Sequence, residues 1–324
     1  MAQRGLGEGE VEIVESIVGG TQNVLLRVRR GSMEAVLRLP PLHKRANSDE
    51  TMRREARVLA ALGATPVPHP RLIADEPDEA VLGSAFYLME AVDGVNPSLG
   101  LPPAGADDPA WQRAMGLSMI DAIAALSAVD HVAVGLGDLG RWDGWADRQV
   151  SRWRRQLDSY SELPGYPGPV IPGVDEVGAW LDARRPSHLR AGLIHGDFHL
   201  ANVLVHREAP RVAAIVDWEL VTVGDPLLDL GHLLATWPTG SGVSVGPAVV
   251  GLPGHDELID HYMRLTGREP GDVHWFRVLA CYRLGLILEG THARACAGLA
   301  PKATGDLLHA HTVSLFEQAL GLIG

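Results

Sequence analysis

The sequence predicts an α+β protein of two lobes, a small N-terminal lobe with an antiparallel sheet and one helix, and a larger, mainly helical C-terminal lobe. Alternating and β-branched apolar runs are concentrated before about residue 92, and helix-spaced apolar residues dominate after it. A stretch rich in proline and glycine begins at Asp93-Gly94 and separates the two patterns. We therefore expect lobes at residues 1–92 and 93–324.

The N-terminal lobe is predicted to start with a sheet of three strands. Their expected positions are residues 11–18, 23–28 and 34–39. Pro40 ends the third strand, because proline cannot donate to a sheet ladder. Ser48 is a suitable N-cap for a helix over residues 48–62, which Gly63 would end. Residues 81–90 predict two more strand segments with a bend at Gly83.

The C-terminal lobe is predicted to consist mostly of helices. Apolar spacing places them at residues 109–128, 143–160, 174–183, 225–236, 255–266, 271–298 and 302–322. The pair Asp108-Pro109 fits an N-cap followed by the first helical residue. A β-rich segment at residues 193–221 interrupts the helical series, and a Gly/Pro/Ser loop is expected at residues 238–253.

Composition limits the class of partner. The chain has 324 residues and a formal net charge of −12, which argues against nucleic acid as a ligand, since phosphate backbones select basic faces. No apolar run approaches the roughly 20 residues of a membrane helix, and the first residues have no apolar core of the secretory type. The two cysteines, Cys281 and Cys296, lack metal-type spacing. We expect a cytoplasmic protein with reduced thiols.

Three oxygen-bearing side chains stand out in the β-rich segment. Asp197 and Asn202 lie in the run Leu193-Ile-His-Gly-Asp-Phe-His-Leu-Ala-Asn202, and Asp217 ends the next apolar run, Ala214-Ile-Val-Asp217. Each lies at the end or beginning of a predicted strand, so adjacent strands would bring them to one edge. Phosphoryl transfer requires one oxygen to accept a hydroxyl proton and oxygen ligands that hold Mg²⁺ on nucleotide phosphates. These residues could supply all three groups.

The sequence His195-Gly-Asp197, with Asn202 five positions later and Asp217-Trp-Glu219 beyond, resembles the aminoglycoside phosphotransferase family of the protein-kinase-like fold, to which choline and fructosamine kinases are related. The resemblance extends over residues 11–320. It implies that Asp197 orients and deprotonates the acceptor hydroxyl, that Asn202 and Asp217 coordinate Mg²⁺, and that His195 and Asp229 brace the loop. It also implies ATP or GTP as co-substrate and a small hydroxylated molecule as acceptor.

The same resemblance predicts the nucleotide contacts in the N-terminal lobe. They are Gly20, Thr21, Asn23, Arg38, Glu55, Met89, Glu90 and Val92. The chain departs from the family pattern at Arg38, where kinases carry lysine; arginine can also fork onto phosphate oxygens. Glu55 would form an ion pair with Arg38. Lys44 is the alternative phosphate-binding cation, but its sequence context favours an exposed loop residue. The hinge at residues 86–92 would bind the base through backbone groups.

The acceptor side is less defined by the sequence. An aminoglycoside would require several acids near Asp197, and the C-terminal tail offers only Glu317. Residues 281–294 are the best candidate for a wall of the acceptor pocket. Trp218, Trp237 and Trp275 could line a more apolar pocket, and Glu219 is expected to pair with an arginine.

Two alternatives to a kinase remain at this point. Arg38 is compatible with a protein of the same fold that binds nucleotide but transfers nothing. Alternatively, His195, Asp197 and His199 could hold Zn²⁺ or a dinuclear metal pair in a hydrolase, although the other histidines form no ligand-spaced cluster in the sequence.

Overall fold

The computed structural model describes residues 1, 4–17, 23–41, 44, 47–238, 245–246 and 249–324. Its N-terminal part is a five-stranded antiparallel sheet, wider than the three strands predicted first. The elements in chain order are β1 (Glu12–Ser16), β2 (Val24–Arg30), β3 (Met33–Leu39), α1 (Ser48–Leu62), β4 (Leu72–Glu76) and β5 (Phe86–Met89). The strands lie in the order β1-β2-β3-β5-β4.

The strand β4 was not predicted, and the strand expected at residues 81–83 is absent. Leu72-Ile-Ala-Asp-Glu76 is a short edge strand with all five residues half-buried, so it lacks the alternation that marks a strand with one buried face. Gly83 adopts a positive φ of 75° in a turn instead. The apolar residues before it, Val81 and Leu82, are exposed.

Helix α1 begins at Ser48 as predicted, but Asn47 occupies the N-cap position and makes no side-chain capping bond there. The helix packs one apolar face under the sheet through Met52, Ala56 and Leu59, each at most 3% exposed. Glu55 lies on this buried face, so the sequence spacing that buries the helix also carries an acid into the interior.

The rest of the chain is mainly helical, as predicted. The helices are α2 (Pro103–Ala106), α3 (Pro109–Ser127), α4 (Gln149–Ser159), α5 (Val174–Ala183), α6 (Leu227–Thr236), α7 (His255–Thr266), α8 (Val273–Cys296) and α9 (Lys302–Ile323). Asp108 caps α3 by accepting bonds from Ala110 N (2.9 Å) and Trp111 N (3.1 Å). Helix α4 is shorter than predicted, because Ala146–Arg148 form a 3₁₀ turn before it. None of the helices in the described ranges combines the length and apolarity that a bilayer crossing requires.

Helix α8 is the centre of this helical part. It packs against α4, α5, α6 and α9, and its residues Phe276, Leu279, Tyr282 and Leu286 are fully buried. Burying four large side chains on one helix stabilises the position of every neighbour that packs on them, at about 1.5–3 kcal/mol for each apolar side chain.

Two short antiparallel ladders interrupt the helices between α5 and α6. The strands are β6 (Gly192–Ile194), β7 (Val203–Val205), β8 (Val212–Ile215) and β9 (Thr222–Gly224). Strand β6 pairs with β9, and β7 pairs with β8 with Val203 opposite Ile215. These pairings bring the β6–β7 loop and the β8–β9 loop to the same edge. Val95, just beyond the N-terminal sheet, exchanges backbone bonds of 2.9 Å with Val205.

A buried ion pair fixes the start of α6. The Asp225 side chain is fully buried and accepts bonds from the backbone of Arg190 (2.8 Å) and Leu227 (3.0 Å), and Arg268 Nη1 lies 2.6 Å from its Oδ1. Asp225 therefore combines a hydrogen bond to the first residue of α6 with an ion pair.

We expect Arg268→Ala to lower the free energy of unfolding by about 3 kcal/mol, because it leaves a buried carboxylate without its counter-charge. Urea unfolding measures this change. Lys302→Ala is the control, since it breaks an exposed helical pair with Asp306 and should change stability little. Equal midpoints for the two variants would contradict the prediction.

Candidate active site

The β6–β7 loop is held in one shape by His195 and Asp229. The imidazole of His195 is fully buried; its Nδ1 accepts from Asp197 N (3.3 Å), so its Nε2–H donates to Val216 O (3.0 Å). The Asp229 carboxylate accepts from His195 N (2.7 Å) and Gly196 N (2.8 Å). Burial raises the pKa of Asp229, opposed by these two backbone bonds and by His195. Both residues therefore fix the conformation of the loop.

Asp197 is surrounded by polar groups that orient its carboxylate. Asn202 Nδ2 donates to Asp197 O (2.8 Å) and Oδ2 (3.0 Å). His199 Nε2 lies 3.5 Å from Oδ2, and His232 Nε2 lies 3.3 Å from Oδ1. Burial alone would raise the pKa of Asp197, but the contact with His199 above all, with smaller contributions from other neighbours that include Arg283, outweighs it and holds that pKa well below its usual range. The carboxylate is therefore ionised and able to accept a hydroxyl hydrogen bond.

His232 was not predicted from the sequence to belong to this site. It lies on α6, and burial lowers its pKa to about 3, so the ring is neutral beside Asp197. Its position three residues after Asp229 was the available signal, because residues at i and i+3 share a helix face. Asp197, His199 and His232 thus bring three potential ligand atoms within 4.8 Å of one another.

Asp217 lies immediately beyond the β7–β8 ladder, at the same end as Asn202. Val216 N donates to Asn202 O (2.9 Å), which ties the two segments together. Asp217 has a positive φ of 67°, the single non-glycine case in the described residues. Such strain persists where the surrounding structure imposes it, often at functional sites. The geometry aims a carboxylate that is 35% exposed back toward the N-terminal sheet.

Arg38 joins the sheet to this edge. Its side chain is 6% exposed; Nε lies 3.0 Å from Glu55 Oε2, and Nη2 lies 2.6 Å from Asp217 Oδ1. Tyr87 donates to Glu55 Oε2 (2.8 Å). Burial raises the pKa of Glu55 to about 7, although Arg38 and the Tyr87 hydroxyl favour its charged form. The structure thus brings together Arg38 and Glu55, as the sequence predicted, and adds Asp217 as a third member.

We expect Arg38→Ala to lower the free energy of unfolding by about 3 kcal/mol, since Glu55 would remain buried without its cation. Urea unfolding of the single variant and of the double variant Arg38→Met, Glu55→Gln tests the cause. The double variant removes both charges and should recover most of the loss. A double variant as unstable as Arg38→Ala would show that the ion pair is not the source of the effect.

The remaining predicted nucleotide residues are placed as follows. Gly20 and Thr21 lie outside the described residues. Asn23 is half-buried and directly precedes β2, and Met89 ends β5. Glu90 N donates to Arg71 O (2.9 Å), so this N–H is already used and the base contacts predicted there depend on the other backbone groups of Glu90 and Val92.

The alternative cation and the tryptophans have other partners. Lys44 is paired with Asp49 (2.8 Å) and also donates to Gly83 O. Trp218, Trp237 and Trp275 are 2–4% exposed, and each indole N–H donates to a backbone carbonyl at 2.9–3.1 Å. The expectation that these tryptophans line an acceptor pocket was wrong, because they are core residues with satisfied donors.

The comparisons with known proteins agree with this geometry. The model of the phosphotransferase enzyme family (APH) matches residues 13–299, and the chain belongs to this family. The fold is that of its kinase-like members. A crystal structure from Ralstonia eutropha, whose name assigns it provisionally to the aminoglycoside phosphotransferases, aligns with a TM-score of 0.80 and 30% identity. The alignment covers 99% of this chain and 96% of that one. The GDP complex of aminoglycoside 2'-phosphotransferase-IIIa aligns over 100% of this chain and 97% of that one with a TM-score of 0.64 and 16% identity, which supports the fold alone.

Curated relatives carry a different name. Acyl-CoA dehydrogenase family member 11 of Rattus norvegicus is 32% identical over 291 residues, covering 86% of this chain and 36% of the relative. The Gallus gallus protein of the same name is 32% identical over 323 residues, covering 95% and 40%. The chain thus spans about two fifths or less of these relatives, so their name describes proteins much longer than the matched part.

Proposed function

We propose that this protein transfers the terminal phosphate of a nucleoside triphosphate, ATP in the first instance, to a hydroxyl group of a small molecule. The observation that carries the proposal is the arrangement of Asp197, Asn202 and Asp217 at one edge, with Arg38 reaching Asp217 from the sheet. A phosphotransferase family match over most of the chain supports it. Catalysis in such a site consists mainly of positioning and of charge neutralisation.

The oxygen ligands fit Mg²⁺. Asn202 uses its Nδ2 on Asp197, so its oxygen is oriented away from that bond, and Asp217 presents a half-exposed carboxylate on the same edge. Carboxylate and amide oxygens are the donors Mg²⁺ prefers. Asn202 and Asp217 would hold the ion, which when bound neutralises charge on the nucleotide phosphates.

Side chains of this protein would orient the acceptor, accept its proton and neutralise phosphate charge. Asp197 accepts the hydrogen bond of the acceptor hydroxyl and aligns its oxygen with the terminal phosphorus. It takes the hydroxyl proton as the new O–P bond forms and the bond from that phosphorus to the departing nucleoside diphosphate breaks. His199 and His232 hold the carboxylate in place from two sides. Arg38, fixed by Glu55, places positive charge at the nucleotide phosphates.

The test is a screen for acceptor-stimulated nucleotide consumption with Mg-ATP and Mg-GTP over hydroxylated metabolites and antibiotics. We expect transfer that requires Mg²⁺ and yields a phosphate ester detectable by mass spectrometry. Nucleotide binding without transfer to any acceptor would favour the silent nucleotide-binding alternative.

A second candidate is a metal-dependent hydrolase, favoured by the grouping of Asp197, His199 and His232. The set proposed from the sequence is not the one that assembles, because both ring nitrogens of His195 are engaged by the backbone. Zinc content of purified protein and hydrolysis in the absence of nucleotide separate this reading from the phosphotransferase.

The name of the curated relatives does not alter the proposal. The part of them that this chain matches is 36–40% of their length, and over that part the chain has the phosphotransferase residues described above. We therefore propose phosphoryl transfer as the activity of this chain.

A further inference from the structure

A cavity of about 390 Å³ lies beside the candidate active site, and its charged walls are almost all cationic. Its charged lining consists of one acid, Glu219, and five arginines. The arginines are Arg54, Arg141, Arg148, Arg152 and Arg283. Five positive side chains in one cavity are unexpected in a chain with a net charge of −12. They therefore indicate that the cavity itself requires positive charge.

Arg283 is the deepest of these cations. It is 6% exposed on α8, its guanidinium carbon lies 5.1 Å from the centroid of the Trp153 ring, and its Nη1 is buried without a hydrogen-bond partner among the described residues. A buried, unpaired guanidinium nitrogen costs free energy unless a ligand supplies an acceptor. Burial also lowers the pKa of Arg283, opposed by Asp197 and Asp229.

Two other arginines are held in place by backbone carbonyls. Arg54 donates to Val221 O and to Leu139 O, and Arg148 donates to the carbonyls of Arg141 and Asp143. The side chains of Arg54 and Arg148 are therefore fixed in direction.

The cavity adjoins the reacting groups. Ile194, in its wall, precedes Asp197 by three residues, and Glu219, also in its wall, follows Asp217 by two. The positive charge of Arg283 acts on the Asp197 carboxylate. Arg283 therefore links the cavity electrostatically to Asp197, the residue proposed to receive the acceptor hydroxyl.

We infer that this cavity binds an oxyanion of the acceptor, a carboxylate or a phosphate, and so selects hydroxylated acids or phosphate esters over neutral or polycationic alcohols. The inference rests on the proposed phosphotransferase function. Guanidinium groups bind carboxylate and phosphate with paired, charge-assisted hydrogen bonds. The same arginines repel the ammonium groups of a polycationic acceptor, which would require acids in their place.

Direct binding tests the cavity without turnover. Inorganic phosphate is titrated calorimetrically into the full chain and into Arg152→Gln and Arg141→Gln, two exposed cavity positions whose substitution should not disturb folding. Arg155→Gln is the matched control, because Arg155 is an exposed arginine on the same helix α4 and does not line the cavity. We expect each cavity variant to bind phosphate about tenfold more weakly and the control to match the wild type. Equal affinity in all four proteins would overturn the inference.

Turnover tests the acceptor class. Hydroxy acids and sugar phosphates are compared with the methyl esters or dephosphorylated forms of the same molecules as acceptors for Mg-ATP. We expect transfer to the anionic forms only, with Arg152→Gln raising KM for the acceptor about tenfold and leaving KM for the nucleotide unchanged. Equally fast transfer to the neutral forms would overturn the acceptor assignment and leave phosphotransfer intact. Failure of all acceptors would count against the proposed function instead, and the phosphate titration would still decide on the cavity.

Discussion

Asp197→Asn is expected to lower kcat by about 10³-fold, within the usual range for loss of a positioned general base, and to leave the affinity for Mg-nucleotide nearly unchanged. The asparagine side chain is almost isosteric, so the contacts of Asn202, His199 and His232 can largely persist. What is lost is the negative charge that orients the hydroxyl and receives its proton. The effect should therefore appear in kcat, since the nucleotide is held by other residues.

Asp121→Asn provides a matched control for this substitution. Asp121 also contacts a histidine, His261, with a distance of 2.7 Å between Oδ1 and Nε2. This pair lies on α3 and α7, away from the β6–β7 loop. Steady-state kinetics with equilibrium binding of Mg-nucleotide measures both quantities. If Asp197→Asn retained more than about a tenth of the wild-type kcat, well above the usual loss, Asp197 could not be the base.

The convergence of Asp197, Asn202 and Asp217 could be predicted because strand ends are readable in the sequence. Short apolar runs precede Asp197 and Asp217, and another begins directly after Asn202. Once β7 and β8 pair with Val203 opposite Ile215, the residues flanking them must share one edge. The helices were predicted for a similar reason, because apolar spacing and caps such as Asp108 are local signals.

Contacts made by tertiary packing could not be predicted in this way. His232 stands among leucines in a helix whose residues are all buried, and only its spacing of three from Asp229 indicates which loop it will face. The three tryptophans were assigned to a pocket because nothing local distinguishes an indole in the core from one in a cavity wall. The cavity arginines come from α1, α4, α8 and the segment before α4, so their convergence has no signature along the chain.

The second large effect is expected from Asp217→Asn, which should weaken binding of Mg-nucleotide about 100-fold, equivalent to about 2.7 kcal/mol. Loss of a carboxylate ligand removes charge from the position proposed for Mg²⁺. Asparagine is the informative replacement because Asp217 has a φ of 67°, and asparagine tolerates this left-handed conformation better than alanine. Asp217→Ala would combine the loss of charge with backbone strain.

Binding of nucleotide without Mg²⁺ separates the metal contribution from a general disruption of the cleft. In the wild type, Asp217 Oδ1 lies 2.6 Å from Arg38 Nη2 and partly neutralises this cation. In Asp217→Asn, Arg38 keeps Glu55 as its partner and has more of its charge available to the phosphates. Metal-free affinity should therefore be unchanged or slightly higher, while the gain on adding Mg²⁺ is largely lost. Calorimetric titration of both forms with and without EDTA measures the difference, and an Asp217→Asn protein that keeps the full Mg²⁺-dependent gain would remove Asp217 from the metal site.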